Sequence, residues 1–132
     1  MTPLATSDNA IRFDDGLPGF EHSRSFVLIR SEVLEPFTLV QGTEDGAPSF
    51  LAIDPWQVAP NYTSPLTDAD LVRLDAGPET PLLWLSIVAT DASGAATINL
   101  RAPLVINPGA MRGIQVLSPD SPYRTDHPFS TV

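Results

Sequence analysis

The chain has 132 residues, no cysteine and a formal net charge of -9, which predicts a single domain with its own hydrophobic core and no disulfide bonds. All seven cations are arginines, and so acidic a chain is not expected to bind RNA or DNA directly, because phosphate contacts supply much of that affinity. The first ten residues lack the basic start and apolar run of a signal peptide, and no apolar stretch reaches the length of a membrane helix, so we expect a cytoplasmic protein with no membrane partner.

Short segments rich in apolar, β-branched and aromatic residues recur between fourteen prolines and eight glycines, a pattern typical of all-β proteins. The predicted strands, in chain order, are residues 11–13, 26–30, 37–41, 50–53, 82–90, 96–100, 104–107 and 113–117. In the longest strand, alternate residues share a face, and both faces are largely apolar. We therefore expect this strand, residues 82–90, to be central and covered on both sides.

One short helix is predicted at residues 67–74. Thr67 is a suitable N-cap, and Asp70 stands three residues later, as in a capping box, where an acidic side chain also suits the helix dipole. The sequence Ala-Gly-Pro at residues 76–78 ends the helix. We expect Leu71 and Leu74 to face the core.

Strands, one helix and then strands again predict an all-β fold: a small antiparallel β-barrel-like single domain with one short helix. Closure of a barrel removes the exposed strand edges that lead to aggregation. Because Trp84 and several leucines need to be packed, we expect side chains to fill the lumen. The predicted domain covers residues 11–128, between a flexible N-terminus at 1–10 and a frayed C-terminus at 129–132.

The sequence Gly-Leu-Pro-Gly-Phe-Glu at residues 16–21 places two apolar side chains and a proline on a turn with two glycines. The apolar side chains either tuck into an end of the barrel or form a small patch with an acidic rim, as protein-binding surfaces do. The acidic residues are Asp14, Asp15 and Glu21. The candidate protein-binding residues of this turn are Leu17, Pro18, Phe20 and Glu21.

A second candidate surface lies in residues 99–108. Pro103 cannot donate a hydrogen bond to a sheet, so it marks an edge or a break in a strand. Leu104 and Ile106 point to one side of this segment, and Pro103, Val105 and Asn107 point to the other. One of the two sets belongs to the core. The other set is either covered by the C-terminal tail, through Tyr123 and Phe129, or forms an open apolar edge for a partner. The candidate protein-binding residues here are Asn99, Pro103, Val105 and Asn107.

No arrangement of side chains in the sequence indicates a catalytic, cofactor-binding or metal site. His22 and His127 are the only histidines, and they are more than a hundred residues apart. The nucleophile motif Gly-x-Ser-x-Gly and a glycine-rich phosphate loop before a helix are both missing. We therefore predict a binding protein without a cofactor, and not an enzyme. The alternative is a small acidic enzyme or a ligand-binding β-barrel with a dispersed carboxylate site, because sites assemble in three dimensions.

Several of these segments, in this order along the chain, resemble the flagellar assembly factor FliW family. The segments are FDDGLPGFE (13–21), PFTLVQ (36–41), FLAIDP (50–55), TINLRAPLVINP (97–108), QVLSPDSPY (115–123) and HP (127–128). The resemblance spans residues 11–128, and the combination of GLPGFE with NLRAPLVIN is its most specific part. The family often has LQS where this chain has LVQG.

The resemblance implies a small, non-enzymatic, bacterial cytoplasmic protein with two protein partners. Members bind flagellin and protect it before export. They also bind and antagonise CsrA, a dimeric regulator that blocks translation of the flagellin mRNA. The implied switch is an exchange of partners that couples the flagellin level to flagellin translation. The acidic charge of this chain agrees with a basic, RNA-binding partner. The binding residues of the family are not assigned to positions here, so the candidate residues rest on physical reasoning alone.

Overall fold

The computed structural model describes residues 10–17 and 19–129, which form nine strands, one short 3-10 helix and one α-helix. The strands are β1 (Ile11–Arg12), β2 (Ser25–Ile29), β3 (Thr38–Gly42), β4 (Ser49–Ile53), β5 (Leu83–Thr90), β6 (Ala96–Ile98), β7 (Leu104–Asn107), β8 (Arg112–Gln115) and β9 (His127–Pro128). The helices are the 3-10 helix Pro55–Gln57 and α1 (Asp68–Arg73). All eight predicted strands are present with boundaries within two residues of the prediction, and β9 is additional.

Seven strands close a barrel in the order β4-β3-β2-β1-β8-β7-β5, and β5 pairs back with β4. Strands β6 and β9 extend the sheet from the second half of β5. The predicted small barrel with one short helix is confirmed. The strand pairs of the ring are antiparallel except one: β1 and β8 run parallel, with Arg12 opposite Arg112. Strand directions alternate around a ring only when the number of strands is even, so a ring of seven contains at least one parallel pair.

The interior of the barrel is filled with side chains, as expected. The two faces of β5 divide as predicted: Leu85 faces the interior, whereas Trp84 packs in the outer layers. Phe13 and Phe26 meet edge to face in the interior, with ring centroids 5.5 Å apart. A Cβ at Gly113 would lie 2.5 Å from the Phe13 ring, so this glycine makes room for the phenyl group.

Helix α1 begins and ends as the sequence predicts. The Thr67 side chain accepts a hydrogen bond from the Asp70 amide, and the Asp70 carboxylate accepts one from the Thr67 amide. Leu74, the C-cap, is fully buried beneath the helix. No helix in the described part of the chain has the length and apolar character needed to cross a bilayer.

The C-terminal tail covers one outer side of the sheet. The Phe129 ring lies 5.7 Å from that of Phe37, and the Phe129 amide donates a hydrogen bond to the carbonyl of Ala96. Apart from Ala10 and Phe129, the predicted flexible N-terminus and frayed C-terminus lie outside the described residues.

Candidate functional site

The glycine-containing turn at residues 16–21 folds tightly back on itself. The Phe20 amide donates a hydrogen bond to the Leu17 carbonyl at 2.7 Å. Gly16 and Gly19 have φ values of 65° and 86°, a region that glycine adopts more readily than other residues. A Cβ at Gly16 would lie 2.7 Å from the Cα of Glu21. Glycine at position 16 therefore lets the second half of the turn pack directly over the first.

The turn divides its two apolar side chains between the core and the surface. Leu17 is 2% exposed and belongs to the interior cluster of the barrel. Phe20 is 44% exposed, and its ring packs edge to face against Phe50 with centroids 5.6 Å apart. Leu17 thus tucks into the end of the barrel and Phe20 lies at the surface, while the role of Phe20 in protein binding stays a prediction. Pro18, the third apolar candidate, lies outside the described residues.

A cleft of about 320 Å³ lies between this turn and the neighbouring strands. This Phe20 cleft is lined by Leu17, Phe20, Phe50, Ile87, Asn99, Ala102, Gln115 and Leu117. It brings together Leu17, Phe20 and Asn99 of the predicted candidates. Leu117 is 65% exposed and continues the apolar surface outward. A partly exposed apolar cleft of this kind suits the insertion of apolar side chains from another protein.

Asn99, which lines the cleft, forms three hydrogen bonds to the neighbouring backbone. Its amide donates a hydrogen bond to the Ile87 carbonyl at 2.9 Å. Its Oδ1 accepts hydrogen bonds from the amides of Arg101 and Ala102 at 3.1 and 3.0 Å. Asn99 is therefore a corner residue that fixes the backbone beside the cleft.

The other three candidates of the second surface are buried, so the interpretation of an open apolar edge is wrong for them. Val105 is fully buried among Leu74, Ile114 and neighbouring apolar side chains, and Pro103 is also buried. The Nδ2 of Asn107, which is 3% exposed, donates hydrogen bonds to the carbonyls of Leu74 and Asp75. Residues at and after the end of helix α1 provide this cover. The C-terminal tail covers a different cluster, which contains Ile98, Leu100 and Tyr62.

Two of the three acidic residues expected at the rim are paired with arginines. Asp14 lies 3.0 Å from Arg12 and 2.6 Å from Arg112. Asp15 forms a 2.6 Å ion pair with Arg73 of helix α1. These pairs hold the turn against β1, β8 and the helix, and they reduce the negative charge available to a partner.

Glu21 forms no ion pair within the described residues. Its Oε2 accepts a hydrogen bond from the Gly19 amide at 2.9 Å, and this bond lowers the pKa of the Glu21 carboxyl. Glu44 and Asp45 lie on the turn between β3 and β4, which leaves the barrel at the same end as the cleft. Arg24 lies in the same loop as Glu21, where its Nε donates a hydrogen bond to the Glu21 carbonyl at 3.2 Å, so this end carries acidic and basic groups together.

None of the carboxyls with a shifted pKa lines the Phe20 cleft. Three carboxyls have shifted pKa values, and each is lowered: Glu21 by the Gly19 amide, Asp91 by the Ser93 side chain, and Asp126 by Arg124. A general acid at neutral pH needs a raised pKa. No group of three or more histidine or acidic side chains in the described chain is placed to hold a metal ion. The lining of the cleft itself consists of apolar and amide side chains.

Sequence reasoning missed several residues of the cleft. Phe50, Ile87 and Gln115 were assigned only to strands, and their position at one end of the barrel depends on pairing between distant segments. Leu117 carried a usable signal, because it is an apolar residue directly before the sequence Ser-Pro-Asp-Ser-Pro, where a strand is not expected to continue.

Comparisons with known proteins agree on one family. A family model described as FliW protein matches residues 3–129. The chain is similar to the flagellar assembly factor FliW of Syntrophus aciditrophicus, with 37% identity over 129 residues, covering 96% of this chain and 81% of that protein. It is also similar to the flagellar assembly factor FliW of Thermotoga neapolitana, with 32% identity over 127 residues, covering 95% and 85%. A crystal structure of the flagellar assembly factor FliW superposes with a TM-score of 0.86 at 30% identity, covering 99% of this chain and 93% of that chain.

Proposed function

The chain belongs to the FliW family, and from that premise we propose that this flagellar assembly factor works in the cytoplasm by binding flagellin and by binding and antagonising CsrA. While flagellin is abundant, it occupies the protein and leaves CsrA free to block flagellin translation. When export empties the flagellin pool, the protein returns to CsrA and translation resumes. The protein couples two partners and transforms neither.

The observation that carries the proposal is the exposed Phe20 beside an apolar cleft. Phe20 is 44% exposed although it is a large aromatic side chain, and Leu117 extends the same surface. Chain-terminal helices of flagellin have apolar faces that lie bare before assembly, and such helices bind by inserting apolar side chains into grooves. The seven ring strands are paired on both sides, so within this ring a partner meets side chains and not a free strand edge.

Charge supports the encounter with CsrA. The chain has a net charge of -9, and CsrA, as an RNA-binding protein, is expected to present basic surface. Opposite charges raise association rates, and the effect falls as salt shortens the Debye length from about 30 Å at 0.01 M to about 8 Å at 0.15 M. We therefore expect the association rate with CsrA, measured by stopped flow, to drop steeply over this range. A rate that does not respond to salt removes the steering role.

The experiment for the cleft is calorimetry of flagellin binding to the wild type, to Phe20→Ala and to Leu51→Ala. Leu51 is 37% exposed and lies outside the cleft, so it controls for the loss of an exposed apolar side chain. We expect Phe20→Ala to weaken binding by about 2 kcal/mol, or about 30-fold, and Leu51→Ala to bind as the wild type does. Equal losses in both variants contradict the assignment of the cleft. Binding of neither flagellin nor CsrA by the wild type at about 10 µM rejects the proposed function itself.

A further inference from the structure

A second and larger cavity, of about 590 Å³, opens at the other end of the barrel. The inward-facing residues of β5 show that the ends are opposite: Leu83 and Leu85 line this cavity, whereas Ile87 lines the Phe20 cleft. The floor of the cavity is therefore apolar. Its walls carry Arg30, Thr38, Gln57 and two carboxylates, Glu35 and Asp54. This Arg30 cavity has no part in the function proposed above.

Arg30 is an exposed residue with one hydrogen bond and no ion pair among the described residues. Its Nε–H donates a hydrogen bond at 3.2 Å to the Oγ1 of Thr38, a residue that is 4% exposed. Four of the other arginines form ion pairs with aspartates. Arg30 pairs with no carboxylate of the described residues, although Glu35 and Asp54 line the same cavity. The anchored Nε leaves the two Nη groups of Arg30 available for a carboxylate, which guanidinium groups bind in a bidentate manner.

The charged residues of the cavity favour a ligand with both a positive and a negative charge over a simple anion or a simple cation. A simple anion gains from Arg30 but is repelled by Glu35 and Asp54. A simple cation gains from the two carboxylates but is repelled by Arg30. A molecule that carries both charges can pair its carboxylate with Arg30 and its ammonium group with a carboxylate of the same cavity. An apolar side chain on the same molecule would be buried against Leu83 and Leu85, which adds the stabilisation of apolar burial.

We propose that the Arg30 cavity binds a small zwitterion of the α-amino acid class with an apolar side chain. The carboxylate pairs with the Nη groups of Arg30, and the ammonium group faces Glu35 and Asp54. The apolar side chain rests on the floor formed by Leu83 and Leu85. The volume of the cavity lies within the range of small-molecule sites in proteins.

The test is an NMR titration of the uniformly ¹⁵N-labelled full chain with L-leucine. Two probes remove one charge each: N-acetyl-leucine keeps the carboxylate alone, and leucinamide keeps the ammonium group alone. We expect leucine to shift the amide signals of Thr38, Gln57 and Leu85 with saturation, and each blocked probe to bind at least tenfold more weakly. An absence of shifts at about 10 mM leucine, or binding of N-acetyl-leucine as tight as that of leucine, overturns the proposal.

Variants locate the site. Arg30→Gln is expected to weaken leucine binding at least tenfold, and Arg30→Lys also weakens it, because lysine lacks the anchored Nε donor. Arg24→Gln is the matched control, since Arg24 is exposed, forms no ion pair among the described residues and lies at the other end of the barrel. The dispersed spectrum of each variant shows that it is folded. Unchanged binding in folded Arg30→Gln and Arg30→Lys, or an equal loss in Arg24→Gln, contradicts the assignment.

Discussion

The two ends of this barrel are built from the same strands but have opposite chemistry. At one end, Phe20 and Leu117 expose apolar surface beside a cleft that is lined by apolar and amide side chains. At the other end, Arg30 and two carboxylates line one cavity, and Arg30 forms no ion pair with either of them. Phe26 and the other interior side chains fill the space between them. The strands therefore fix where the two sites are, and the loops at each end decide what each site can bind.

The largest expected effect concerns the packing that separates the two ends. Phe26 is fully buried, and its ring contacts those of Phe13 and Phe50. Phe26→Ala should lower the free energy of unfolding by about 3–5 kcal/mol, because it removes a large apolar group and leaves a cavity. Urea denaturation measures this loss. Phe20→Ala is the comparison, with an expected loss of about 1 kcal/mol; equal losses would mean that Phe20 is core and not surface.

A smaller effect is expected at the backbone of the cleft end. Gly16→Ala forces a side chain into a positive φ and places its Cβ 2.7 Å from the Cα of Glu21, so we expect it to destabilise the fold by about 2–4 kcal/mol. Gly19→Ala also meets a positive φ, but nothing lies within 4 Å of its Cβ, and about 1 kcal/mol is expected. Thermal and urea unfolding measure both. Equal costs would show that close packing over Gly16 does not shape the turn.

A third effect links the outer aromatic layer to the corner beside the cleft. The Tyr62 hydroxyl donates a hydrogen bond at 2.8 Å to the carbonyl of Leu100, the residue after Asn99. Tyr62→Phe leaves this buried carbonyl unsatisfied and should cost about 1–2 kcal/mol. Burial also raises the pKa of Tyr62 to about 12. Because the pKa of Tyr62 is higher in the folded than in the unfolded protein, its neutral hydroxyl stabilises the fold fully below about pH 10. This stabilisation is lost as the pH rises through the folded pKa of about 12.

Ultraviolet absorbance of the phenolate checks this pKa. One of the two tyrosines should ionise near pH 12, and this step should be missing in Tyr62→Phe. A phenolate step near pH 10 that disappears in Tyr62→Phe would show that Tyr62 is not buried in this way.

The smallest effect is local to Glu21. The Gly19 amide lowers the pKa of the Glu21 carboxyl. The hydrogen bond from Gly19 to the Glu21 carboxylate is therefore fully formed above the ordinary glutamate pKa of about 4.3. It weakens as the pH falls through the lowered pKa that Glu21 has in the folded protein. In an NMR titration, the Gly19 amide should report this low midpoint, and Glu21→Gln should abolish it. Glu35→Gln, at the other end, is the control and should leave the Gly19 titration unchanged. A Gly19 midpoint at or above the ordinary value contradicts the contact.

Local patterns in the sequence predicted most of the fold. Alternation along residues 82–90 identified the two faces of β5, and the pair Thr67 and Asp70 identified the start of α1. Each of these depends on neighbours within a few residues, so propensity and period suffice to find them. The FliW resemblance, carried by short segments in a fixed order, agreed with the later comparisons over almost the whole chain.

The sites were less predictable because they depend on contacts between distant residues. Asn107 is buried by hydrogen bonds to Leu74 and Asp75, more than thirty residues away, and nothing near Asn107 indicates which segment covers it. The split between buried Leu17 and exposed Phe20 follows from a turn that packs on the barrel end. The Arg30 cavity joins segments near residues 30, 54 and 83, and only the closed ring brings them together.

The most direct test of the account is a paired titration of flagellin against Phe20→Ala and Val33→Ala. Val33 is 93% exposed and lies in the turn between β2 and β3, at the other end of the barrel from Phe20. The account predicts about 30-fold weaker binding for Phe20→Ala and an affinity like that of the wild type for Val33→Ala. A loss confined to Val33→Ala, or wild-type affinity in Phe20→Ala, would contradict the claim that the Phe20 cleft is the partner-binding end.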